Sequence, residues 1–193
     1  ASNHVLSMTE IAPGHIGFGT YEGISILNKQ TGTWSHLQDR DDQISEVILG
    51  FTTDTKKNIW ALSFTKALSI YKYDGTGRYL EAQKYSKKEY LFGKSVLVDY
   101  DDHIWVTSHT GLIQFSTTEG TSESYPILNS LSSVLISEEL LAVGAETGIF
   151  FLNTHSKKLR DYPFINDSKF EMRLIKSLRV DKQGRLWAAS KLD

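Results

Sequence analysis

The sequence predicts an all-β protein built from propeller blades, each of which is a small sheet of four antiparallel strands. Three observations lead to this prediction. A strand-like segment that often carries tryptophan recurs at intervals of roughly 40 residues. Each copy lies in the same series of short apolar runs separated by turns. Helical periodicity is hard to find anywhere in the chain.

The recurring segment is clearest in "HIWVTSHTGL" from His103, which matches "NIWALSFTKA" from Asn58 and "RLWAAS" from Arg185. Two further copies, "HIGFGTYEGI" from His15 and "LLAVGAETGI" from Leu140, lack tryptophan but keep the frame. The aligned positions are Gly17, Trp60, Trp105, Ala142 and Trp187. Copies at this spacing predict four blades and two strands of a fifth.

The other strands follow the same order in each unit. A β-branched run gives the first strand, as in "ISEVILGF", "KSVLVDY", "LSSVLIS" and "IKSLRV", and the tryptophan segment gives the second. Third strands are predicted at "GISILN", "LSIYKYD", "GLIQFS" and "GIFFLN", and fourth strands at "TWSHL", "RYLEA", "SESYPI" and "LRDYPF". The predicted blades span residues 4–38, 43–86, 93–127 and 130–165, with an incomplete fifth unit at 174–193.

Because an incomplete ring leaves sheet edges free to pair, we expect this chain to be part of a larger propeller protein. Trp60, Trp105 and Trp187 are predicted to lie at equivalent second-strand positions, buried between neighbouring sheets. Trp34 falls on a presumed outer strand.

Composition excludes several classes of function. The chain has 193 residues, with 21 Lys plus Arg against 23 Asp plus Glu, and so it lacks the basic surface that nucleic-acid binding requires. The longest apolar runs are far shorter than the ~20 residues that cross a bilayer. The sequence contains no cysteine, which excludes disulfides and thiolate chemistry. We expect neither a nucleic-acid partner nor membrane contact by this segment.

Motifs for catalysis are also missing. The six histidines, His4, His15, His36, His103, His109 and His155, show no metal-site spacing, and no nucleophile elbow or phosphate loop is present. Asp99, Asp101 and Asp102 loosely imitate a calcium loop, but the corresponding turn "DKQG" has a single aspartate, which favours a turn. We therefore expect no catalytic residue, no metal and no cofactor.

The segments "NSLSSVLIS" (129–137), "VDYDDHIWVTSHTGLIQF" (98–115) and "LRVDKQGRLWAAS" (178–190) resemble the two-component regulator propeller repeat. That repeat combines a Ser-Leu-Ser opening, an Asp-x-x-Gly turn, a Leu/Ile-Trp strand and a Gly-Leu strand. The departures are Gly17 and Ala142 in place of tryptophan, and Lys66 in place of glycine.

The resemblance implies a sensory role. Propellers of this family form the periplasmic part of membrane-spanning hybrid sensor kinases, many of which respond to oligosaccharides. For this chain the resemblance implies a periplasmic sensor segment that is not an enzyme and that binds an oligosaccharide. The expected partners are the remaining blades of the same protein and a second copy of the receptor. Three alternatives stay open: a protein-interaction propeller, an inactive structural spacer within a larger sensor, and an enzyme similar to the streptogramin lyases.

The candidate binding residues follow from how repeats divide their work. Positions that build the blade recur, whereas positions that meet one asymmetric ligand must differ between blades. Four residues after each aligned position the chain has Tyr21, Phe64, His109, Glu146 and Lys191. We predict that these residues lie in the turn between second and third strands, on the face that also carries Arg40, Asp41, Asp42, Lys88, Tyr90, Asn166 and Asp167.

Overall fold

The computed structural model describes residues 2–37, 46–64, 67–74, 79–85, 93–116, 121–161 and 173–190. Every regular element in these ranges is a β-strand. In chain order the strands are β1 Val5–Ala12, β2 His15–Thr20, β3 Gly23–Asn28, β4 Trp34–Leu37, β5 Ile48–Thr53, β6 Ile59–Ser63, β7 Ala67–Tyr73, β8 Tyr79–Tyr85, β9 Ser95–Val98, β10 Ile104–Ser108, β11 Gly111–Phe115, β12 Ser122–Tyr125, β13 Ser130–Leu135, β14 Leu140–Ala145, β15 Gly148–Asn153, β16 Leu159–Asp161, β17 Ile175–Val180 and β18 Leu186–Ser190.

Consecutive strands pair in order, which gives sheets of propeller-blade type. Four sheets contain four strands each, β1 to β4, β5 to β8, β9 to β12 and β13 to β16, and a fifth contains β17 and β18. The predicted all-β fold class is confirmed. Each sheet falls inside one of the predicted blade ranges. Within each sheet we name the turns in chain order, so that the first turn joins the first and second strands.

The chain divides into two compact units, Ala1–Val98 and Asp99–Asp193. In unit 1 the first and second sheets share a core that includes Ile24, Ile26, Phe51 and Ile59. Gly17 replaces tryptophan in this core because a β-carbon there would lie only 2.7 Å from the Phe51 ring. The aromatic side chain of one sheet therefore fills the space that the aligned tryptophan would need.

Unit 2 has a corresponding core between the fourth and fifth sheets. Ala142 packs there with Ile149, Phe151, Ile175 and Leu178. Phe151 stands opposite Ala142 on the neighbouring strand β15, so a large and a small side chain share this position. Both departures from tryptophan are thus accommodated by a phenylalanine nearby.

The first turn of the third sheet is organised by one buried carboxylate. Asp99 Oδ1 accepts hydrogen bonds from the backbone N–H groups of Asp101 (3.0 Å) and His103 (2.9 Å). Its Oδ2 accepts one from the indole N–H of Trp105 at 2.8 Å and lies 3.1 Å from the His103 ring nitrogen Nδ1. One side chain therefore closes the turn and fixes the tryptophan.

The same arrangement occurs in the second and fifth sheets. Asp54 and Asp181 each bind the backbone N–H groups two and four residues later, and their Oδ2 atoms accept the indole N–H groups of Trp60 (3.0 Å) and Trp187 (2.8 Å). The residue three positions after each aspartate has a positive φ; these residues are Lys57, Asp102 and Gly184. We call this repeated contact the Asp–Trp latch.

The prediction that the three tryptophans occupy equivalent second-strand positions is confirmed, but their predicted burial is only partly right. Trp60 is 2% exposed and Trp105 is fully buried, whereas Trp187 is 59% exposed. Fourth-strand tyrosines pack against the buried rings, with Tyr85 at 6.0 Å from Trp60 and Tyr125 at 5.7 Å from Trp105. Among the described residues the fifth sheet has two strands, so no such tyrosine covers Trp187.

We expect that Asp99→Ala costs about 2–4 kcal/mol of unfolding free energy, because it leaves a buried indole N–H and several turn donors without an acceptor. Asp181→Ala serves as the matched control and should cost clearly less, since its tryptophan faces solvent. Urea unfolding followed by tryptophan fluorescence measures both variants. Equal losses would show that burial of the latch does not determine its contribution.

The Asp–Trp latch should also appear in the titration of Asp181. The Trp187 indole hydrogen bond, followed by those from the backbone N–H and side chain of Arg185 and from Gln183 N–H, lowers the pKa of Asp181 to about 2. Because folding lowers the pKa of Asp181, its ionised carboxylate stabilises the folded state. This contribution is fully present at pH values above the ordinary aspartate pKa of about 3.9 and is lost as the pH falls towards 2. Carboxyl ¹³C NMR should give a midpoint near 2, which Trp187→Phe should move upward; an unchanged midpoint in that variant contradicts the assignment.

Candidate functional site

The second turns place the predicted binding residues at the surface. Tyr21 lies between β2 and β3, His109 between β10 and β11, and Glu146 between β14 and β15, while Phe64 directly follows β6. All four are exposed, with Tyr21 at 45% and Phe64 at 53%. The remaining predicted residues lie outside the described part of the chain: Lys191, Arg40, Asp41, Asp42, Lys88, Tyr90, Asn166 and Asp167, together with Lys66.

In unit 1 two second turns are attached to the same short segment. Gly23 N–H donates to the carbonyl of Glu46 at 2.8 Å, and Phe64 N–H donates to the carbonyl of Val47 at 2.9 Å. Because residues 46 and 47 lead into β5, both turns lie at the edge where the chain enters the second sheet. The structure therefore brings the Tyr21 turn and Phe64 to one edge of this unit.

An aromatic stack marks the same edge. The rings of His4 and Tyr21 are nearly parallel, with centroids 5.0 Å apart and planes inclined by 8°. Sequence reasoning did not select His4. Its position directly before the first strand of a blade is the signal that could have identified it.

In unit 2 the His109 and Glu146 turns are joined through Asn129. Asn129 N–H donates to the His109 carbonyl at 3.1 Å, and Glu146 N–H donates to the Asn129 carbonyl at 3.2 Å. The Asn129 side-chain amide also donates to Glu146 Oε2. The Glu146 carbonyl then accepts from Leu174 N–H at 2.9 Å. Sequence reasoning missed Asn129, which directly precedes the Ser-Leu-Ser opening.

The Ser-Leu-Ser opening ties neighbouring sheets together beneath these turns. Ser130 Oγ accepts from Ser108 N–H at 3.0 Å and lies 3.0 Å from the Gly111 carbonyl of the third sheet. Ser132 Oγ donates to the Ile175 carbonyl of the fifth sheet at 3.1 Å. A β-bulge between Ser130 and Ser132 turns the two hydroxyls to opposite sides of β13, which explains how one short motif contacts both neighbours.

The second turns of each unit carry groups that suit binding. Unit 1 offers aromatic ring faces, and unit 2 offers a carboxylate, an amide and an imidazole, with the exposed side chain of Leu128 next to Asn129. Aromatic faces pack against apolar surfaces, whereas carboxylate and amide groups bind hydroxyls. The turns of unit 1 can therefore contact apolar ligand surfaces, and the turns of unit 2 can bind polar ligand groups.

The first turns at the opposite ends of these strands carry carboxylates, but their oxygens serve the fold. Both Asp99 oxygens accept hydrogen bonds within the turn, and Asp101 contacts His155, whose Nε2 lies 3.2 Å from Asp101 Oδ2. Within the described ranges, no group of three or more His, Asp or Glu side chains is arranged to hold a metal ion. The hydrogen bonds of Asp99 agree with the interpretation of this aspartate as a turn residue.

Comparison with known proteins gives structural relatives. No protein-family profile and no curated protein matches the chain. The extracellular domain of the one-component system BT4673 from B. thetaiotaomicron is similar, with 18% identity and a TM-score of 0.73 over 98% of this chain and 26% of that one. The extracellular domain of the hybrid two-component system BT3049 from the same organism has 17% identity and a TM-score of 0.66, over 98% and 28%.

A catalytically inactive virginiamycin B lyase from Staphylococcus aureus, solved with quinupristin, is also similar, with 14% identity and a TM-score of 0.67 over 96% of this chain and 69% of the lyase. At these identities the likeness shows the fold alone. The chain spans about a quarter of the length of the two extracellular domains. The described residues include no helix that is long and apolar enough to cross a membrane.

We expect Gly111→Ala to destabilise the protein by about 2–4 kcal/mol, because Gly111 has a φ of +145° and a β-carbon there would collide with the Tyr125 carbonyl. Gly32→Ala is the control: its φ is +70°, but the space around it is open, so only about 1 kcal/mol of backbone strain is expected. Thermal and urea unfolding test both variants. Similar losses would mean that the close approach at Gly111 is relieved by a small shift of the turn.

Proposed function

We propose that this chain is a ligand-sensing segment of the exported part of a two-component signalling receptor, and that its ligand is an oligosaccharide. The similarity to extracellular domains of one-component and hybrid two-component systems supports the sensory role. The propeller repeat resemblance supports a periplasmic location and the class of ligand. The segment itself binds and does not catalyse.

The proposal rests on a contrast at the second turns: the backbone hydrogen bonds that hold the turns recur, whereas the exposed side chains differ. In each unit the turns are anchored through backbone N–H and C=O groups to a segment that leads into the first strand of the same sheet or of the next one. The side chains that project from this repeated frame are all different: Tyr21, Phe64, His109 and Glu146. Different exposed side chains on a constant frame are what recognition of one asymmetric ligand requires.

The side chains also match the chemistry of sugars. A pyranose ring presents an apolar face of C–H groups and several hydroxyls around its edge. The His4–Tyr21 stack and Phe64 supply flat apolar surfaces in unit 1. In unit 2 the Glu146 carboxylate accepts hydrogen bonds from hydroxyls, and the Asn129 amide and His109 ring can donate or accept.

A protein partner is the second candidate. Leu128 is a large apolar side chain that is mostly exposed next to Asn129, and Phe64 is exposed in unit 1. Exposed apolar side chains beside polar groups are also typical of protein interfaces. The lyase alternative is supported by the fold likeness to virginiamycin B lyase and requires turnover that depends on a divalent metal.

The double variant Tyr21→Ala, His109→Ala should weaken binding of a glycan found on an array by at least about tenfold, since each removed ring contributes on the order of 1 kcal/mol. The melting temperature should change little, because both side chains are exposed. Isothermal titration calorimetry measures the affinity. Tyr100→Ala, Lys182→Ala at the first turns is the matched control and should bind normally.

Four results would contradict the proposal in different ways. Unchanged binding by the Tyr21, His109 variant, or lost binding by the Tyr100, Lys182 variant, removes the site assignment. A silent glycan array together with a specific partner in a pull-down favours the protein-interaction alternative. Metal-dependent cleavage of a streptogramin would replace the sensor role with lyase activity.

A further inference from the structure

The third turn of the fourth sheet, residues 154–158, is built on the same frame as the third turn of the first sheet. Asn153 Oδ1 accepts from the N–H groups of His155 (3.1 Å) and Ser156 (2.7 Å), and Lys157 N–H donates to the Asn153 carbonyl at 2.9 Å. In the first sheet Asn28 makes the corresponding bonds, and the residue that matches Lys157 is Gly32.

Lys157 therefore occupies a position that favours glycine. The φ angles of Gly32 and Lys157 are +70° and +58°. A side chain in this left-handed region costs backbone strain that glycine avoids. In the sequence the corresponding segments "DGTG" and "TTEG" also end in glycine, at Gly77 and Gly120. A lysine at this position must gain something through its side chain.

The gain is a set of contacts with the third sheet. Lys157 Nζ donates to Gln114 Oε1 at 2.8 Å and lies 5.2 Å from the centroid of the Trp105 ring. Trp105 and Gln114 are both buried. The amine thus satisfies a buried amide oxygen and makes a cation–π contact with the buried tryptophan.

The Lys157 amine is partly buried and has carboxylates near it. Burial lowers the pKa of Lys157, while the negative charges of Asp99, Glu123 and Asp101 act in the opposite direction. His155, two residues earlier, reaches Asp101 of the third sheet from the outside, and its Nδ1 lies 3.9 Å from Glu139. Two basic side chains of one turn therefore contact the preceding sheet.

We propose that residues 154–158 form a strap that clamps the fourth sheet onto the third, with Lys157 as its inserted member. The strap lies at the end of these sheets opposite the second turns. Strands β10 and β14 run from the strap end to His109 and Glu146. By fixing the sheets at one end, the strap restricts how far those two turns can separate at the other.

The test compares two lysines that both have a positive φ. Lys57, with a φ of +66°, lies 5.8 Å from the ring of Tyr73 within its own sheet. Lys57→Gly should leave the folding equilibrium constant unchanged or raise it, because strain is relieved. Lys157→Gly relieves the same strain but removes the inserted side chain of the strap. We expect its folding equilibrium constant to fall about tenfold or more. Lys157→Met keeps an apolar side chain over Trp105. Its folding equilibrium constant should therefore lie between those of the wild-type protein and Lys157→Gly.

Hydrogen exchange reports the effect on the second turns. The amide of Glu146, which binds the Asn129 carbonyl, should exchange several-fold faster in Lys157→Met, measured relative to the amide of Val143 in the middle of β14. The Val143 amide serves as the reference for global unfolding. This comparison separates a strap that acts on the distant turns from a contact that adds only to overall stability.

The proposal is overturned if Lys157→Gly is as stable as the wild-type protein, as expected for Lys57→Gly. It is also overturned if Glu146 and Val143 exchange rates rise in parallel. If Lys157→Gly does not fold, Lys157→Met decides: a change of less than twofold in its folding equilibrium constant rejects the strap. None of these readouts requires a ligand, so they are independent of the proposed sensory function.

Discussion

In three of the five described sheets, the first hairpin depends on the contact between the first-turn aspartate and the tryptophan six residues later. A buried indole must find an acceptor for its N–H, and a buried carboxylate must find donors for both oxygens. Asp99 and Trp105 satisfy each other, and the turn amides complete the set. The latch persists at Trp187, which is exposed, so it forms from local sequence and does not need burial.

Much of this architecture was readable from the sequence because each blade repeats the same local instructions. The spacing of the tryptophan segments predicted the second strands, and the apolar runs around them predicted the others. The exposure of Trp187 could not be predicted in this way. Tyr85 and Tyr125 pack on the other two tryptophans from fourth strands, and the fifth sheet has no such strand among the described residues. The glycine at position 17 was visible, but its cause is Phe51, which belongs to another sheet.

For the candidate site, the sequence predicted which residues lie in the second turns but not how those turns are connected. Tyr21 and Phe64 were found by counting from the aligned positions. The turn of Tyr21 is attached to Glu46 through Gly23, and Phe64 is attached to Val47, by tertiary hydrogen bonds between backbone groups, which carry no residue signature. Asn129 and His4 were missed because their contacts with second-turn residues are also tertiary: Asn129 forms hydrogen bonds, and the His4 ring stacks on Tyr21. Each directly precedes the first strand of a sheet, a position that only the folded chain places beside a second turn.

The backbone hydrogen bonds that pass from His109 through Asn129 and Glu146 to Leu174 have a consequence for how such proteins evolve. Because amides and carbonyls hold the turns in place, exchanging the side chain of a turn residue leaves the supporting bonds intact. Duplicated blades can therefore accumulate substitutions at these positions at little structural cost. The exposed side chains of these turns can diversify while the scaffold is inherited unchanged, as happens in the variable loops of antibodies.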